Sequence, residues 1–326
     1  MSDATFAPGT FSWPMRRRLA WFSLGLALCT MALMALGSST RVMNAGLSCP
    51  DWPLCYGEFL PQNQMNLQVF LEWFHRLVAS VIGFGTIVLA GTAVSYRARL
   101  PKWTPWATGF ALFLVVFQGV LGGLTVTELL RFDIVTAHLG TGLAFFSTLL
   151  TVGLLLLDYR PRFATGRLRW VALAAAIGIY AQSLLGGLVA SQWAVHQCFG
   201  LTQLCAVLNS HLIGVVPATI GTLLVLGWLV RLRYQSRLDP RLQQCGWFVA
   251  LFLTAQISLG FATFRLRLQV EPLTVAHQTI GAALLGSLIM TTVWAFLSSV
   301  QDVETVSPVD LTEVHITPPV AASTKA

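Results

Sequence analysis

Long apolar runs separated by short polar or charged segments dominate the hydropathy pattern of the chain. A membrane-spanning helix needs about 20 predominantly apolar residues to cross the hydrocarbon core, and eight runs come close to that length. They lie near residues 19–37, 72–95, 105–126, 134–157, 171–190, 211–230, 246–264 and 274–297. The pattern therefore predicts an all-α polytopic membrane protein with eight transmembrane helices.

The composition agrees with this prediction and excludes an ordinary soluble domain. Of the 326 residues, 55% are hydrophobic and only 10% are charged, whereas roughly 25% are charged in soluble domains. The net charge of +7 would suit nucleic acid, but the basic residues fall almost entirely in alternate loops. We therefore expect membrane lipid, and no nucleic acid, around this chain.

The distribution of basic residues predicts the orientation. If the amino terminus is cytoplasmic, the loops on that side and the termini carry fifteen of the 20 Lys and Arg residues, and the outer side carries five: Arg41, Arg76, Arg131, Arg265 and Arg267. Because Lys and Arg accumulate in cytoplasmic loops, both termini should be cytoplasmic. With no cleavable signal peptide or presequence evident, a plasma (inner) membrane is the simplest location.

A weak internal duplication divides the chain. Gly37 precedes Cys49 by 12 residues, and Gly186 precedes Cys198 by the same interval. A Gln-x-x-Leu-Gly-x-x-Thr motif occurs at 118–125 and again at 256–263, each time before an Ala-His pair. Since each half has four helices, the halves should insert as two parallel four-helix-bundle repeats.

These boundaries give four segments. Residues 1–17 form a cytoplasmic amino terminus, 18–157 the first repeat, and 158–297 the second. Residues 298–326, rich in Val, Thr and Pro, are predicted to be a disordered cytoplasmic tail.

Four histidines occupy equivalent positions in this frame: His75, His138, His211 and His277. Each is predicted at the outer start of an even-numbered helix, so each repeat should bring two imidazoles to one depth. Two such imidazoles on facing helices suit bis-histidine ligation of a haem iron. A proton relay and interfacial histidines remain the alternatives, whereas a non-haem metal would need a further carboxylate or histidine.

The two predicted sites differ by one carboxylate. Glu72 lies one helical turn before His75, and the equivalent residue before His211 is Leu208. An acid at the hydrocarbon edge is costly and suits proton handling, although a first-turn acid that favours the helix dipole is an alternative. The first outer loop is also longer, as a lid would require. The residues thus predict a dihaem b-type protein with a reactive site at His75/His138 and a fixed site at His211/His277.

Other polar residues of the outer loops have candidate roles. Cys49/Cys55 and Cys198/Cys205 face the oxidising side, where structural disulfides belong, with reactive dithiols, metal ligands or free thiols as alternatives. Three outer arginines are candidate partners of haem propionates, with interfacial snorkelling as the alternative: Arg76, Arg265 and Arg267.

At three places the sequence resembles the haem A synthase family. They are residues 46–55 (Gly-Leu-Ser-Cys-Pro-Asp-Trp-Pro-Leu-Cys), residues 72–76 (Glu-Trp-Phe-His-Arg) and residues 137–140 (Ala-His-Leu-Gly). The resemblance covers about residues 17–297 and implies an oxidoreductase that converts the C8 methyl of haem O into the formyl group of haem A. It also implies that the outer-loop cysteines are paired.

The resemblance assigns roles residue by residue. Glu72 would be the essential carboxylate, His75 and His138 would bracket substrate haem O, and His211 and His277 would hold a haem b cofactor. Haem O synthase and cytochrome oxidase assembly would be its partners, and a homo-oligomer is compatible with the sequence. Two other functions stay open: a dihaem b-type electron-transfer cytochrome and a non-catalytic haem carrier for oxidase assembly.

Overall fold

The computed structural model describes residues 13–159, 161–192, 203–267 and 269–300. Eight long helices fill them: α1 (Trp13–Val42), α2 (Leu67–Ser95), α3 (Thr104–Thr127), α4 (Phe132–Leu156), α5 (Leu168–Gln192), α6 (Gln203–Tyr234), α7 (Pro240–Arg265) and α8 (Glu271–Val300). Two short 3₁₀ turns, Gln62–Gln64 and Arg97–Arg99, lie in the connections. No β-strand is present in these ranges.

All eight helices are long and apolar enough to cross a membrane, which confirms the all-α prediction of a multi-pass membrane protein. Helices satisfy their backbone hydrogen bonds internally, as hydrocarbon requires. Several extend well beyond the apolar runs, because a helix continues into the polar interface where hydropathy no longer detects it. At the amino-terminal end of α1, for example, Arg16 Nε donates to the carbonyl of Leu156 at 3.0 Å and caps the end of α4.

Contacts between the helices close into two rings of four. In the first ring, α1 contacts α2 and α4, and α3 contacts the same two helices; α5, α6, α7 and α8 form the second ring in the same way. The rings meet where α4 contacts α5 and α8, and where α1 contacts α8. The boundaries at 18–157 and 158–297, and the relation of the halves as parallel repeats, stay predictions.

The helices α4 and α8 form the centre of the molecule, and close packing joins them to their neighbours. A Cβ on Gly153 of α4 would lie 2.6 Å from Cγ of Leu24 on α1, so only glycine fits there. Ser23 of α1 donates to the carbonyl of Leu149 at 2.8 Å within the same interface. Small residues and buried hydroxyls are the means by which helices associate in lipid, where the hydrophobic effect contributes little.

The loop between α1 and α2, residues 43–66, which is predicted to be the first outer loop, folds against the start of α2. A disulfide joins Cys49 to Cys55, with a Cα–Cα distance of 4.8 Å, which confirms the predicted pairing. Both cysteines pack with Val69 and Trp73 of α2 in a small apolar cluster. The indole of Trp73 also donates to the carbonyl of Phe59 at 2.8 Å. The loop is therefore attached to the helix that carries Glu72 and His75.

A carboxylate organises the tip of this loop. Asp51 accepts hydrogen bonds from the backbone N–H groups of Tyr56 at 2.6 Å and Gly57 at 2.8 Å. These two residues have positive φ angles of 57° and 73°, the left-handed conformation that closes a tight turn. The hydrogen bond from Gly57, followed by that from Tyr56, lowers the pKa of Asp51 below its ordinary value.

Several predictions fall on other parts of the chain. Cys198 lies outside the described residues, as do His196, the first 12 residues and residues 301–326. Cys205 is disulfide-bonded, and its pairing with Cys198 stays a prediction, as does the disordered tail. Cys29 and Cys245, within α1 and α7, are free thiols, as expected away from the outer loops.

Replacement of Gly153 by alanine should destabilise the contact between α1 and α4. The new methyl group would meet Leu24 and the backbone carbonyl of Ala20, and overpacking of this kind costs about 1–3 kcal/mol. Gly91→Ala is the matched control, because nothing lies within 4 Å of a Cβ there. We expect a lower unfolding temperature in detergent for Gly153→Ala alone; equal values for the two variants would contradict this packing.

Asp51→Asn should loosen the first outer loop, because an amide offers one acceptor oxygen in place of two. We expect faster hydrogen exchange at the backbone amides of Tyr56 and Gly57. Asp133→Asn, in the first turn of α4, is the control. Since the pKa of Asp51 is lowered, the carboxylate of the wild type protects these two amides from exchange fully above the ordinary pKa of 3.8. The protection declines only as the pH falls through the lowered pKa. Unchanged exchange in Asp51→Asn would contradict this role of the carboxylate.

Candidate functional site

The four histidines lie at matched depths inside their helices. His75 and His211 are each eight residues beyond the first residue of α2 and α6, and His138 and His277 are each six beyond that of α4 and α8. At 1.5 Å per residue this places them about 9–12 Å along the helix axes. They therefore lie two to eight residues deeper in their helices than the predicted apolar runs implied, because all four helices begin before those runs.

Each of these imidazoles packs against a glycine of the preceding helix. The four contacts join Gly37 to His75, Gly122 to His138, Gly186 to His211 and Gly260 to His277. A Cβ on Gly260 would lie 2.9 Å from Cε1 of its histidine, so a larger residue would displace the ring. Close packing of the helices at these glycines therefore occurs around the histidines themselves.

Glutamines four residues before three of these glycines hold the histidines in place. Gln118 donates to the backbone carbonyl of His138 at 2.9 Å. The amide nitrogen of Gln182 lies 2.8 Å from the carbonyl of His211 and 3.0 Å from its Nδ1. Gln256 lies 3.4 Å from Nε2 of His277, whereas the corresponding residue before Gly37 is Leu33. Sequence analysis found the motifs at 118 and 256 but missed Gln182.

The histidines within each half interact, and some of their ring nitrogens are free. His138 lies close enough to His75, and His211 to His277, for electrostatic interaction. The Nδ1 atoms of His138 and His277 are buried and have no hydrogen-bond partner in the described part of the chain. A buried unpaired nitrogen has a lone pair available for a metal, and the glycines leave space beside it. These features fit a haem iron held by two histidines.

A cavity of about 380 Å³ surrounds the second pair of histidines. His211 and His277 line it, together with apolar residues from α5 to α8 and with Leu139 and Leu143 from α4. Within the described residues, no group of three or more His, Cys, Asp and Glu side chains could hold a metal ion. A largely apolar cavity with two facing imidazoles is suited to a flat macrocycle whose iron has two protein ligands.

Glu72, beside the first pair, is buried with 5% of its surface exposed. One carboxylate oxygen accepts from the backbone N–H of Cys49 at 2.8 Å, and the other contacts the guanidinium of Arg76 at 2.6 Å. Glu72 lies five residues after the first residue of α2, beyond the first turn. Attraction to the helix dipole therefore does not explain an acid at this position. The carboxylate instead connects His75's helix to the disulfide loop.

The same loop reaches across the first site to α3. The ring of Trp52 lies against Gly123, where a Cβ would be 3.2 Å from the indole. Gly123 directly follows the glycine that contacts His138. Between its contacts with Glu72 and Gly123, the loop therefore extends from α2, which carries His75, to α3, which packs against His138, as a lid would.

The candidate propionate-binding arginines occupy different environments. Arg76 donates to the carbonyls of Asp51 and Leu54 as well as to Glu72, so it anchors the loop. Arg265 and Arg267 are exposed at the outer end of α7 and are not part of the cavity lining. The cavity contains a different arginine, Arg41 of α1, which sequence analysis counted only as an outer charge.

The chain is similar to known proteins over most of its length. Residues 20–289 match a family model, COX15-CtaA, described as cytochrome oxidase assembly protein. A protein named heme A synthase from Shewanella oneidensis is 27% identical over 334 residues, covering 86% of this chain and 97% of that protein. Another of that name from Lysinibacillus sphaericus is 24% identical and covers 83% and 93%, respectively.

A third heme A synthase, from Exiguobacterium sibiricum, is 31% identical over 148 residues, or 44% of this chain and 48% of that protein. The family model covers well over half of the chain, and the first two relatives extend along almost all of their own length. The chain belongs to the COX15-CtaA family of cytochrome oxidase assembly proteins.

Proposed function

We propose that this chain is a haem A synthase, an oxidoreductase that converts the C8 methyl group of haem O into the formyl group of haem A. The observation that carries the proposal is the difference between two otherwise equivalent histidine pairs. Among the described residues, only the pair at His75 and His138 has a buried carboxylate beside it, Glu72, which accepts a hydrogen bond from the backbone of the loop closed by Cys49–Cys55. Relatives named heme A synthase along nearly the whole chain support the same activity.

In this proposal, His75 and His138 bind substrate haem O, and His211 and His277 hold haem b. The glutamine contacts support this division. Both imidazoles of the second pair lie within reach of a glutamine side chain, Gln182 or Gln256, and such outer contacts fix the orientation of a metal ligand. A permanent cofactor benefits from fixed ligands.

The first pair has looser support, as a site that exchanges its haem requires. Gln118 contacts only the backbone of His138. Near His75, the residue four positions before the contacting glycine is Leu33 instead of a glutamine. The described residues give the His75 side chain no hydrogen bond. His75 is therefore the ligand that moves most easily when haem O enters and haem A leaves.

Glu72 is the proposed catalytic residue, and its geometry suits proton transfer. A carboxylate has about four lone-pair positions, of which Cys49 and Arg76 occupy two. The remaining positions can accept a proton removed during oxidation of the methyl group. Because Arg76 and the loop hold the carboxylate in place, little reorganisation is needed at the moment of reaction.

The loop and the second site complete the proposed mechanism. Trp52 and the disulfide loop exclude bulk water from above the first site, while the hydrophobic tail of haem O extends between helices or into lipid. Haem b, when bound, supplies one-electron transfer. The two sites are close in the fold, because α4 carries His138 and also contributes Leu139 and Leu143 to the second cavity.

The remaining assignments concern the cellular setting. We place both termini in the cytoplasm and the protein in the plasma (inner) membrane, because of the distribution of basic residues. Haem O synthase would supply the substrate, and cytochrome oxidase assembly would consume haem A. A homo-oligomer is compatible with the lipid-facing apolar surface.

Glu72→Gln should abolish haem A formation and leave haem binding intact, since the amide keeps the shape but cannot take up the proton. Loss of a proton-transfer group typically lowers turnover by about 10²–10⁴-fold. Glu58→Gln, an exposed acid of the same loop, is the matched control. Turnover is measured by extraction of the haems after incubation with haem O. Full activity in Glu72→Gln would contradict the catalytic role of Glu72.

Alanine substitution should separate the two sites. His277→Ala or His211→Ala is expected to remove the resident b-type haem, because one axial ligand is lost. His138→Ala should retain that haem and lose haem O conversion. The haem-to-protein ratio and the absorption spectrum of the purified variants give the result. His315→Ala, in the predicted tail, is the control. Loss of the same haem from every variant would contradict two separate sites.

A further inference from the structure

Of the described residues that line the second cavity, Arg41 is the only arginine or lysine, although it belongs to the first half of the chain. It lies in the last turn of α1, one turn beyond Gly37, which contacts His75. From there its guanidinium reaches α8 and donates to Oε1 of Gln278 at 3.1 Å. Gln278 directly follows His277, so the charge lies beside one of the proposed haem b ligands.

The charge of Arg41 has no acidic partner. In the described ranges, the ion pairs join Arg76 to Glu72, and Arg131 to Glu128 and Asp133; Arg41 takes part in none. Within the described part of the chain its hydrogen bond to Gln278 uses one of five guanidinium N–H donors, and the half-buried side chain borders an apolar cavity. A cation in such a place is unfavourable unless an anion accompanies it.

We propose that Arg41 binds a carboxylate of the molecule that occupies the His211/His277 cavity, which, on the function proposed above, is a propionate of haem b. A haem has two propionates, and a guanidinium pairs with a carboxylate through two parallel hydrogen bonds. The contact would place a positive charge of the first half next to the cofactor of the second half. Arg41 is thus a cofactor-binding residue for the second site, a role for which Arg265 and Arg267 lack the position.

The test compares Arg41→Gln and Arg41→Lys with Arg267→Gln, an exposed outer arginine of the same charge. For each full-length protein we would measure the midpoint potential of the b-type haem by optical redox titration, and the rate of haem transfer to excess apomyoglobin. Removal of a positive charge favours ferric iron, so Arg41→Gln should lower the midpoint potential. A charged hydrogen bond is worth about 1.5–3 kcal/mol, so haem loss should become roughly tenfold faster or more.

Arg41→Lys should have a midpoint potential close to that of the wild type, because the charge remains. It should nevertheless release haem faster than the wild type. Arg267→Gln should match the wild type in both measurements. Wild-type potential and release rate in Arg41→Gln would overturn the proposal. If Arg41→Gln does not accumulate, an unchanged release rate in Arg41→Lys would overturn it instead.

His277→Ala distinguishes this proposal from the function on which it rests. If that variant loses the b-type haem while Arg41→Gln behaves as the wild type, only the role of Arg41 is wrong. If His277→Ala keeps the same haem, with the same potential, the assignment of the second site is itself wrong.

Discussion

The contact between a glycine and an imidazole on the next helix determines the geometry of both sites. It recurs four times, and each time the absence of a side chain lets the ring lie against the neighbouring backbone. At Gly37, Gly186 and Gly260 a Cβ would be 2.9–3.0 Å from the nearest ring atom, so these helix pairs can approach this closely only with glycine; at Gly122 the distance would be 3.4 Å, an ordinary contact. In lipid, where close packing replaces the hydrophobic effect as the source of association, these contacts both join the helices and position the histidines.

Charges placed near this framework account for the difference between the two sites. The first half uses a complete network, in which Glu72, Arg76 and the backbone of the disulfide loop satisfy one another. Among the described residues, the cavity of the second half is lined by a single arginine, Arg41 of α1, which forms no ion pair with an acid. A self-contained acid-base pair suits chemistry on a substrate that comes and goes. A cation without a counter-ion suits a resident anionic cofactor that supplies the missing charge.

Much of this arrangement could be predicted from sequence, because it follows from periodic features. Eight apolar runs gave eight helices, the spacing of four histidines singled them out as a set, and the oxidising outer side indicated the Cys49–Cys55 disulfide. The apolar runs are shorter than the helices, because interfacial turns such as the one around Arg16 are polar and hydropathy does not detect them. The helices of the four histidines likewise begin two to eight residues before their apolar runs, so the histidines lie that much deeper in their helices than predicted.

The contacts that sequence reasoning missed depend on packing between distant parts of the chain. Gln182 lacks the flanking motif that marked Gln118 and Gln256, so its relation to His211 emerged only from the structure. Arg41 belongs to the first half in the sequence, and only the contact between α1 and α8 brings it to the second cavity. Likewise, the hydrogen bonds that Arg76 donates to the loop carbonyls depend on the path of residues 43–66.

The most direct measurement is identification, by acid extraction and mass spectrometry, of the haems in cells that supply haem O and contain this protein as their sole source of haem A. The account predicts haem A, alone or with a hydroxylated intermediate, in those membranes. Only haem b in the purified protein, with haem O unchanged in the membranes, would contradict it and indicate an electron-transfer cytochrome.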